Sequence, residues 1–190
     1  VRVAGHDTSS LPPDIAIKHI VLVPQRPSDL LYLDSVAAEC AEADRVAGVG
    51  QGRTSATLER LSPGLSGNLH PRDLSEGQRP APALAIQLAT SPAVSLLDEP
   101  TRGLDYSAKK RLSTVLAERA GNGAAVLLSS HDVEFVARTA DRVIVLSEGE
   151  IITDGAAPAV LTASATFAPQ VSRILRPQPF LTVDAVRSAL

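Results

Sequence analysis

The sequence contains little cysteine and few aromatic residues, and both shortages restrict what the protein can be. A single cysteine, Cys40, cannot form an internal disulfide or supply a multi-cysteine metal site, so a reducing, cytosolic setting fits best. Aromatic residues make up 3% of the chain, which leaves few platforms for base stacking. The formal net charge of −3 provides no broad basic field for a phosphate backbone. Nucleic-acid binding is therefore disfavoured as the main activity.

Long uninterrupted apolar runs are also lacking. The most apolar stretch, residues 80–97, is interrupted by prolines and by Gln87 and Thr90, whereas a membrane span needs about 20 apolar residues. The sequence has no positively charged start followed by an apolar run, so it does not indicate a signal peptide. The chain opens with Val1 and contains no methionine, so we expect that residues upstream are missing. The length of 190 residues suggests about one globular domain.

Short apolar runs alternate with helical patterns. We predict buried strands at residues 19–24, 93–97, 124–129 and 142–146. We predict helices at residues 36–46, 83–89, 108–119 and 133–140, a loop at 62–73, and two short helices around Pro177–Pro179. A turn at 147–149 predicts a terminal hairpin. This alternation favours a mainly parallel α/β sheet covered on both faces by helices.

Two adjacent carboxylates follow the predicted strand at 93–97. Asp98 and Glu99 would lie at its C-terminal end, where open parallel sheets bind ligands. One acid could hold a hydrated Mg²⁺ while the next polarises a water for attack on phosphorus. For this segment alone, an acidic solvated turn is an equally open alternative.

The segment Leu74–Gln78 (LSEGQ) has a capping-box pattern, with Ser75 as the expected helix N-cap. A helix N-terminus with a hydroxyl and a glycine can bind an anion, although such a pattern alone is more often a simple cap. Pro80 and Pro82 would then be the fifth and seventh helical residues. Because an interior proline costs about 3 kcal/mol, we expect this helix to be kinked or to start late.

The motifs LSEGQR, LLDEPTRGLD and SSHD, in this order, resemble the signature motif, Walker B motif, D-loop and switch histidine of ABC-type ATPases. Gln25, at the end of IVLVPQ, matches the Q-loop of that family. The longer segments HPRDLSEGQR and DEPTRGLDY are similar to energy-coupling-factor ATPases, which power uptake of vitamins or metal ions. The resemblance covers about residues 1–155.

The resemblance implies a P-loop NTPase-type α/β fold with a mainly parallel sheet and a helical subdomain at about residues 30–78. Residues 1–157 would form a partial ABC ATPase domain, and residues 158–190 a C-terminal helical tail. The sequence contains no G-x-x-x-x-G-K-S/T motif, so we expect a family member truncated before the Q-loop, with weak nucleotide binding of its own. Loss of the P-loop strand would leave unpaired apolar edges on strands 124–129 and 142–146, which predicts poor solubility.

The resemblance also assigns roles to single residues. Glu99 would activate the attacking water and His131 would contact the γ-phosphate. Asp98 would hold Mg²⁺ through water, and Gln25 would sense the metal and the water.

A second group of residues would serve a partner. Ser75, Gly77 and Gln78 of the signature would contact ATP bound to the other subunit of a dimer, and Asp105 would lie at the dimer interface. The remaining polar residues receive structural interpretations: Cys40 as a small buried residue, and the acidic run at residues 39, 42 and 44 as a solvated helix face.

Three functions remain to be compared. The first is an ATP- and Mg²⁺-dependent subunit of an importer, cytoplasmic and peripheral on the inner face of the membrane, with a second ATPase and a transmembrane subunit as partners. The second is a non-catalytic fragment or partner that supplies only the signature half-site. The third, a non-transport ABC ATPase for chromosome maintenance or translation, is disfavoured because the interval between Gln25 and Leu74 is too short for a long coiled coil.

Overall fold

The computed structural model describes residues 2–3, 5–164 and 166–189, which form two compact units, Val1–Ser129 and Ser130–Leu190. The strands are β1 (Arg2–Val3), β2 (His6–Asp7), β3 (Ile20–Val23), β4 (Val94–Asp98), β5 (Ala125–Ser129), β6 (Arg142–Ser147) and β7 (Glu150–Ala156). The α-helices are α1 (Pro13–His19), α2 (Val36–Ala47), α3 (Arg53–Leu61), α4 (Pro80–Leu88), α5 (Tyr106–Gly121), α6 (Val133–Thr139), α7 (Ala157–Ala163), α8 (Gln170–Ile174) and α9 (Val183–Ala189). Single 3₁₀ turns lie at Thr8–Ser10, Pro27–Leu30 and Pro71–Asp73.

A parallel sheet with the order β3-β4-β5 forms the centre of the first unit. Its register pairs Val23 with Leu97 and Leu97 with Leu128, so the carboxyl ends of all three strands lie at one edge. This sheet and its helices confirm the predicted mainly parallel α/β fold. The division after Ser129 separates compact units; the domain assignment of residues 1–157 and 158–190 remains a prediction.

Helices cover one face of this sheet, not both. Val21 and Leu97 are 6% and 2% exposed, whereas Leu22 and Leu127, which point to the opposite face, are 54% and 62% exposed. The expectation of a sheet buried on both faces is therefore wrong for this unit, because the side chains that alternate onto the second face remain exposed. The predicted burial of the strands at 124–129 and 142–146 is also wrong, because no residue of β5 or β6 is buried.

Strands β5 and β6 each have one unpaired edge in the described part of the chain, as do β3 and β7. There β5 pairs only with β4, and β6 pairs only with β7. These are the strands for which an unpaired edge was expected. An uncovered edge carries unpaired backbone N–H and C=O groups and favours association with another strand.

Helices α2, α3 and α4 follow the Gln25 segment and precede β4 in the sequence. They pack against one another through apolar side chains. Cys40 of α2 is 1% exposed, as predicted. Two carboxylates of α2 are also buried. Asp44 accepts hydrogen bonds from the backbone N–H of Gly52 (2.6 Å) and from the backbone N–H and hydroxyl of Thr54 (2.8 and 2.6 Å). It therefore ties the end of α2 to the first turn of α3.

The second buried carboxylate, Glu39, accepts hydrogen bonds from the backbone N–H groups of Tyr32 and Leu33. It joins α2 to the segment that follows Gln25. The expected solvated face of α2 is thus wrong for Glu39 and Asp44, because their carboxylates bind backbone donors of neighbouring segments.

The second unit is built around the hairpin β6-β7, whose turn residues Glu148 and Gly149 both have positive φ (52° and 83°), as tight hairpin turns require. This confirms the predicted hairpin. The buried residues Ala157, Leu161 and Leu181 form its small core. The two helices expected around Pro177–Pro179 are α8 and α9, and α7 precedes them. None of the described helices is long and apolar enough to cross a membrane.

Candidate functional site

The carboxyl edge of the parallel sheet brings three of the predicted site residues to one place. Gln25 follows β3 by two residues, Asp98 is the last residue of β4, and Glu99 comes next. The register of the three strands places these ends side by side. This edge is where parallel α/β sheets bind ligands.

Asp98 is exposed, and its Oδ1 accepts a hydrogen bond from the hydroxyl of Ser129 at the end of β5 (2.5 Å). The hydroxyl orients the carboxylate and leaves its other oxygen available to a ligand. Mg²⁺ prefers oxygen ligands and keeps several of its waters, so a solvent-facing carboxylate next to the Gln25 segment fits this ion. Ser129 was not predicted as a site residue.

Glu99 lies just beyond the strand with a left-handed backbone, φ 48°, which is uncommon for a residue with a side chain. Its N–H donates to the carbonyl of Ser129 (3.0 Å), which extends the pairing of β4 with β5 by one residue. Its Oε2 atom is buried. Glu99 and Gln25, which carry a carboxylate and an amide, line the same small cavity. Such a pair can position a water molecule.

The signature segment forms a hydrogen-bonded turn ahead of α4. The carbonyl of Ser75 accepts from the N–H groups of Gln78 (3.0 Å) and Arg79 (3.1 Å), and Oε1 of Gln78 accepts from the N–H of Ser75 (3.0 Å). The assigned α-helix then begins at Pro80, so Ser75 is not its N-cap and that expectation is wrong. The alternative of a late start is confirmed.

The late start explains why two prolines are tolerated. Pro80 and Pro82 occupy the first and third positions of α4, where the backbone N–H has no partner inside the helix in any case. Their missing N–H groups therefore break no helical hydrogen bond.

A backbone contact joins the signature turn to the loop that follows Glu99. A Cβ atom added to Gly77 would lie 2.9 Å from the carbonyl oxygen of Gly103, and one added to Gly103 would lie 3.2 Å from the carbonyl oxygen of Glu76. Gly103 also has φ +76°. Both glycines are thus required for this close approach. Gly103 was not predicted, although it stands in the recognised segment PTRGLD.

The three signature residues expected to contact a partner's nucleotide, and Asp105, expected at the dimer interface, line one cleft of about 240 Å³ in the first unit. The signature residues are Ser75, Gly77 and Gln78. Asp105 is also the N-cap of α5, where its Oδ1 accepts from the N–H of Ala108 (2.7 Å). Arg111, which was not predicted, lines the same cleft and donates from Nε to the carbonyl of Leu61 (2.9 Å). Polar and apolar residues line this cleft together.

His131 belongs to the second unit. It is exposed and lies between β5 and α6, just before Asp132, whose side chain caps α6 by accepting from the N–H of Phe135 (3.0 Å). His131 thus lies two residues before the start of α6, and its role at the γ-phosphate remains a prediction.

Comparison with known proteins assigns the family. A family profile described as "AAA domain, putative AbiEii toxin, Type IV TA system" matches residues 6–137. A "Putative ABC transporter ATP-binding protein" from Streptomyces avermitilis is 52% identical over 190 residues, which is 100% of this chain and 34% of that protein. An "Energy-coupling factor transporter ATP-binding protein" from Methanothermobacter thermautotrophicus is 36% identical over 140 residues, 70% of this chain and 44% of that protein.

The solved structure titled "Structure of ATP binding subunit of ABC transporter" superposes with a TM-score of 0.69 at 18% identity, covering 97% of this chain and 73% of the other. At this identity the similarity shows the fold alone, and it confirms the P-loop NTPase-type architecture. The chain spans about a third of the length of its Streptomyces relative. The profile match shows that the chain belongs to the AAA-domain family, and the relatives support an ATP-binding domain of the ABC-transporter type.

Proposed function

We propose that this chain is part of the ATP-binding subunit of an energy-coupling-factor-like importer, which couples ATP hydrolysis at a dimer interface to uptake of a vitamin or metal ion. The identity with the energy-coupling-factor relative supports the subgroup. The partners would be a second ATPase subunit or domain and a transmembrane subunit. The protein would then lie in the cytoplasm, against the inner face of the membrane.

The observation that carries this proposal is the meeting of Gln25, Asp98 and Glu99 at the carboxyl edge of the parallel sheet. Asp98, oriented by Ser129, would hold Mg²⁺ through its water shell. Glu99, next to the Gln25 amide, would orient the attacking water and accept its proton. Bound ATP supplies the phosphoryl group that is transferred to this water.

The proposal also assigns residues to the nucleotide of the partner subunit. Ser75, Gly77 and Gln78 belong to a hydrogen-bonded turn that lines the 240 Å³ cleft, and Asp105 lines the same cleft. We assign Ser75, Gly77 and Gln78 to a phosphate held by the second subunit, Asp105 to the dimer interface, and His131 to the γ-phosphate.

A second candidate function follows from the lack of a P-loop motif in this sequence. The 190 residues contain no G-x-x-x-x-G-K-S/T motif, so the usual cradle for the β-phosphate is not among them. In this alternative the chain is a non-catalytic partner that supplies only the signature half-site to another ATPase. The clustering of the signature residues around one cleft supports it.

The deciding experiment is Mg-ATP binding and hydrolysis by the purified chain, measured by titration calorimetry and phosphate release. Glu99→Gln removes the proposed base but keeps the side-chain volume. Glu150→Gln, an exposed position in the hairpin of the second unit, is the matched control for loss of one carboxylate. Binding with turnover that vanishes only in Glu99→Gln supports the catalytic proposal. Absence of binding in all three proteins refutes it for this chain and favours the half-site alternative.

A further inference from the structure

We infer that Gly103 is a positioning residue that fixes the signature turn relative to Glu99 within one chain. The inference rests on the proposed function, because it assigns Gly103 a task between two parts of that site. Gly103 contacts no substrate in this interpretation. Its task is to let two loops touch through their backbones.

The contact is closer than any side chain would allow. With a Cβ atom at Gly77, the distance to the carbonyl oxygen of Gly103 would be 2.9 Å, a separation that real Cβ atoms essentially never show. The opposite atom is a backbone carbonyl, which cannot rotate away as a flexible side chain would. A Cβ at Gly103 would in turn lie 3.2 Å from the carbonyl oxygen of Glu76 and 3.7 Å from the N–H nitrogen of Gly77. Displacement of either loop is therefore felt by the other.

The loop on the Glu99 side has little freedom. The N–H of Arg102 donates to the carbonyl of Glu99 (3.2 Å), and the N–H of Leu104 donates to the carbonyl of Thr101 (3.1 Å). Thr101 is 4% exposed. Two consecutive turns thus connect Glu99 to Gly103 without a flexible segment.

The loop on the signature side is equally short. Ser75, Gln78 and Arg79 close it into one hydrogen-bonded turn that runs directly into α4. Both turns are closed by hydrogen bonds and meet through backbone atoms. A phosphate that moves the signature turn would therefore move the backbone of Glu99, so that the half-site offered to the partner controls the geometry of the chain's own carboxylate.

The test uses NMR of the intact chain without nucleotide, at constant pH. The perturbation is Glu99→Gln, and the readout is the amide shift of Gly77. The shift is measured in three backgrounds: the unmodified chain, Gly103→Ala and the control Gly123→Ala. Gly123 also has a positive φ (+89°), but a Cβ there would meet nothing within 4 Å, so the control carries the same backbone strain without the contact.

We expect Glu99→Gln to shift the Gly77 amide in the unmodified and Gly123→Ala proteins, and this response to be lost in Gly103→Ala. No response in the unmodified protein, or an equal response in Gly103→Ala, would overturn the inference. If Gly103→Ala does not fold, Gly77→Ala replaces it, because Gly77 has no positive φ, and the readout becomes the carboxyl carbon shift of Glu99. Gly121→Ala is then the control, since a Cβ there also meets nothing within 4 Å.

In that second experiment, Gly77→Ala must shift the Glu99 carboxyl carbon and Gly121→Ala must not. An unchanged Glu99 shift in Gly77→Ala, or an equal shift in Gly121→Ala, overturns the inference. Neither experiment requires ATP binding or turnover. A chain that fails to hydrolyse ATP would refute the proposed catalytic function and leave the backbone coupling measurable.

Discussion

Replacement of Asp44 should destabilise the first unit strongly, although Asp44 lies far in sequence from every predicted site residue. Asp44 is 3% exposed, and its carboxylate accepts three hydrogen bonds, from the N–H of Gly52 and from the N–H and hydroxyl of Thr54. Asp44→Ala leaves these donors without their acceptor. Thr54 is fully buried, so water cannot readily replace the carboxylate there.

The magnitude follows from the partners. A buried donor left without an acceptor costs about 1–3 kcal/mol, and loss of a side-chain cap at a helix start costs about 0.5–2 kcal/mol. Removal of the carboxylate also relieves its own desolvation, which offsets part of the loss. We therefore expect Asp44→Ala to lower the free energy of unfolding by about 2–4 kcal/mol. Urea unfolding followed by circular dichroism measures this change.

The matched control is Glu42→Ala on the same helix. Glu42 is paired with Arg45 at the surface (2.5 Å), and its removal should change stability little, because exposed ion pairs contribute little. The double variant Asp44→Ala/Thr54→Val removes the carboxylate together with the hydroxyl donor and should recover part of the loss. A cost for Asp44→Ala equal to that of Glu42→Ala would refute the reasoning.

The hydrogen bonds of the Asp44 carboxylate also predict a pH dependence of stability. Burial raises the pKa of the Asp44 carboxyl, but hydrogen bonds from Thr54 and Gly52 lower it more, and the net pKa is below its ordinary value. A pKa lowered by folding gives stability that is present above the unfolded-state pKa and is lost as the pH falls through the folded-state pKa. The stability difference between the unmodified chain and Asp44→Asn should therefore be largest above about pH 4 and shrink at lower pH.

Two further predictions concern the sheet. We expect the purified chain to self-associate through the exposed face and edge of β5. Leu127→Lys should reduce this association in sedimentation velocity, whereas Thr114→Lys, which adds the same charge on α5, should not. A monomeric unmodified chain that unfolds cooperatively would contradict this prediction. The buried Ser95 hydroxyl has no hydrogen-bond partner among the described residues. Ser95→Ala should therefore raise the free energy of unfolding by about 1 kcal/mol, measured by thermal unfolding. A lower melting temperature would contradict this prediction.

Local sequence patterns predicted the positions of β3 to β6 and, through the hairpin turn, β7, but not β1 or β2. The apolar run before Asp98 predicted a short strand, and adjacent acids at its end then lie at the carboxyl edge of a parallel sheet. The hairpin turn at Glu148–Gly149 was equally readable, because the turn chemistry is local. The prolines after the signature predicted a helix that is kinked or starts late, for a steric reason that holds in any context, and the late start is the alternative observed.

Contacts between distant segments could not be read from the sequence. Nothing in the pattern of α2 distinguishes the buried Asp44 from the partly exposed Glu42, since only the position of the Gly52–Thr54 backbone decides which acid is used. The hydrogen bond from Ser129 to Asp98 likewise depends on the register of β5 beside β4. The approach of Gly77 to Gly103 depends on how two loops pack, and most glycines in loops serve turns that involve no such contact.

The strand pairing of the first unit also determines the order in which the chain can assemble. Val94 of β4 pairs with Ala125 of β5, and α5 alone connects the two strands, whereas its pairing with Ile20 of β3 must close a loop that contains the whole helical layer. Loop closure costs more entropy as the loop lengthens, and contacts distant in sequence slow folding. We therefore expect β4, α5 and β5 to form first and β3 to join last. The residue delivered by β3, Gln25, reaches Glu99 only at that final step, so a partly folded chain presents its carboxylates before it presents the amide that completes their site.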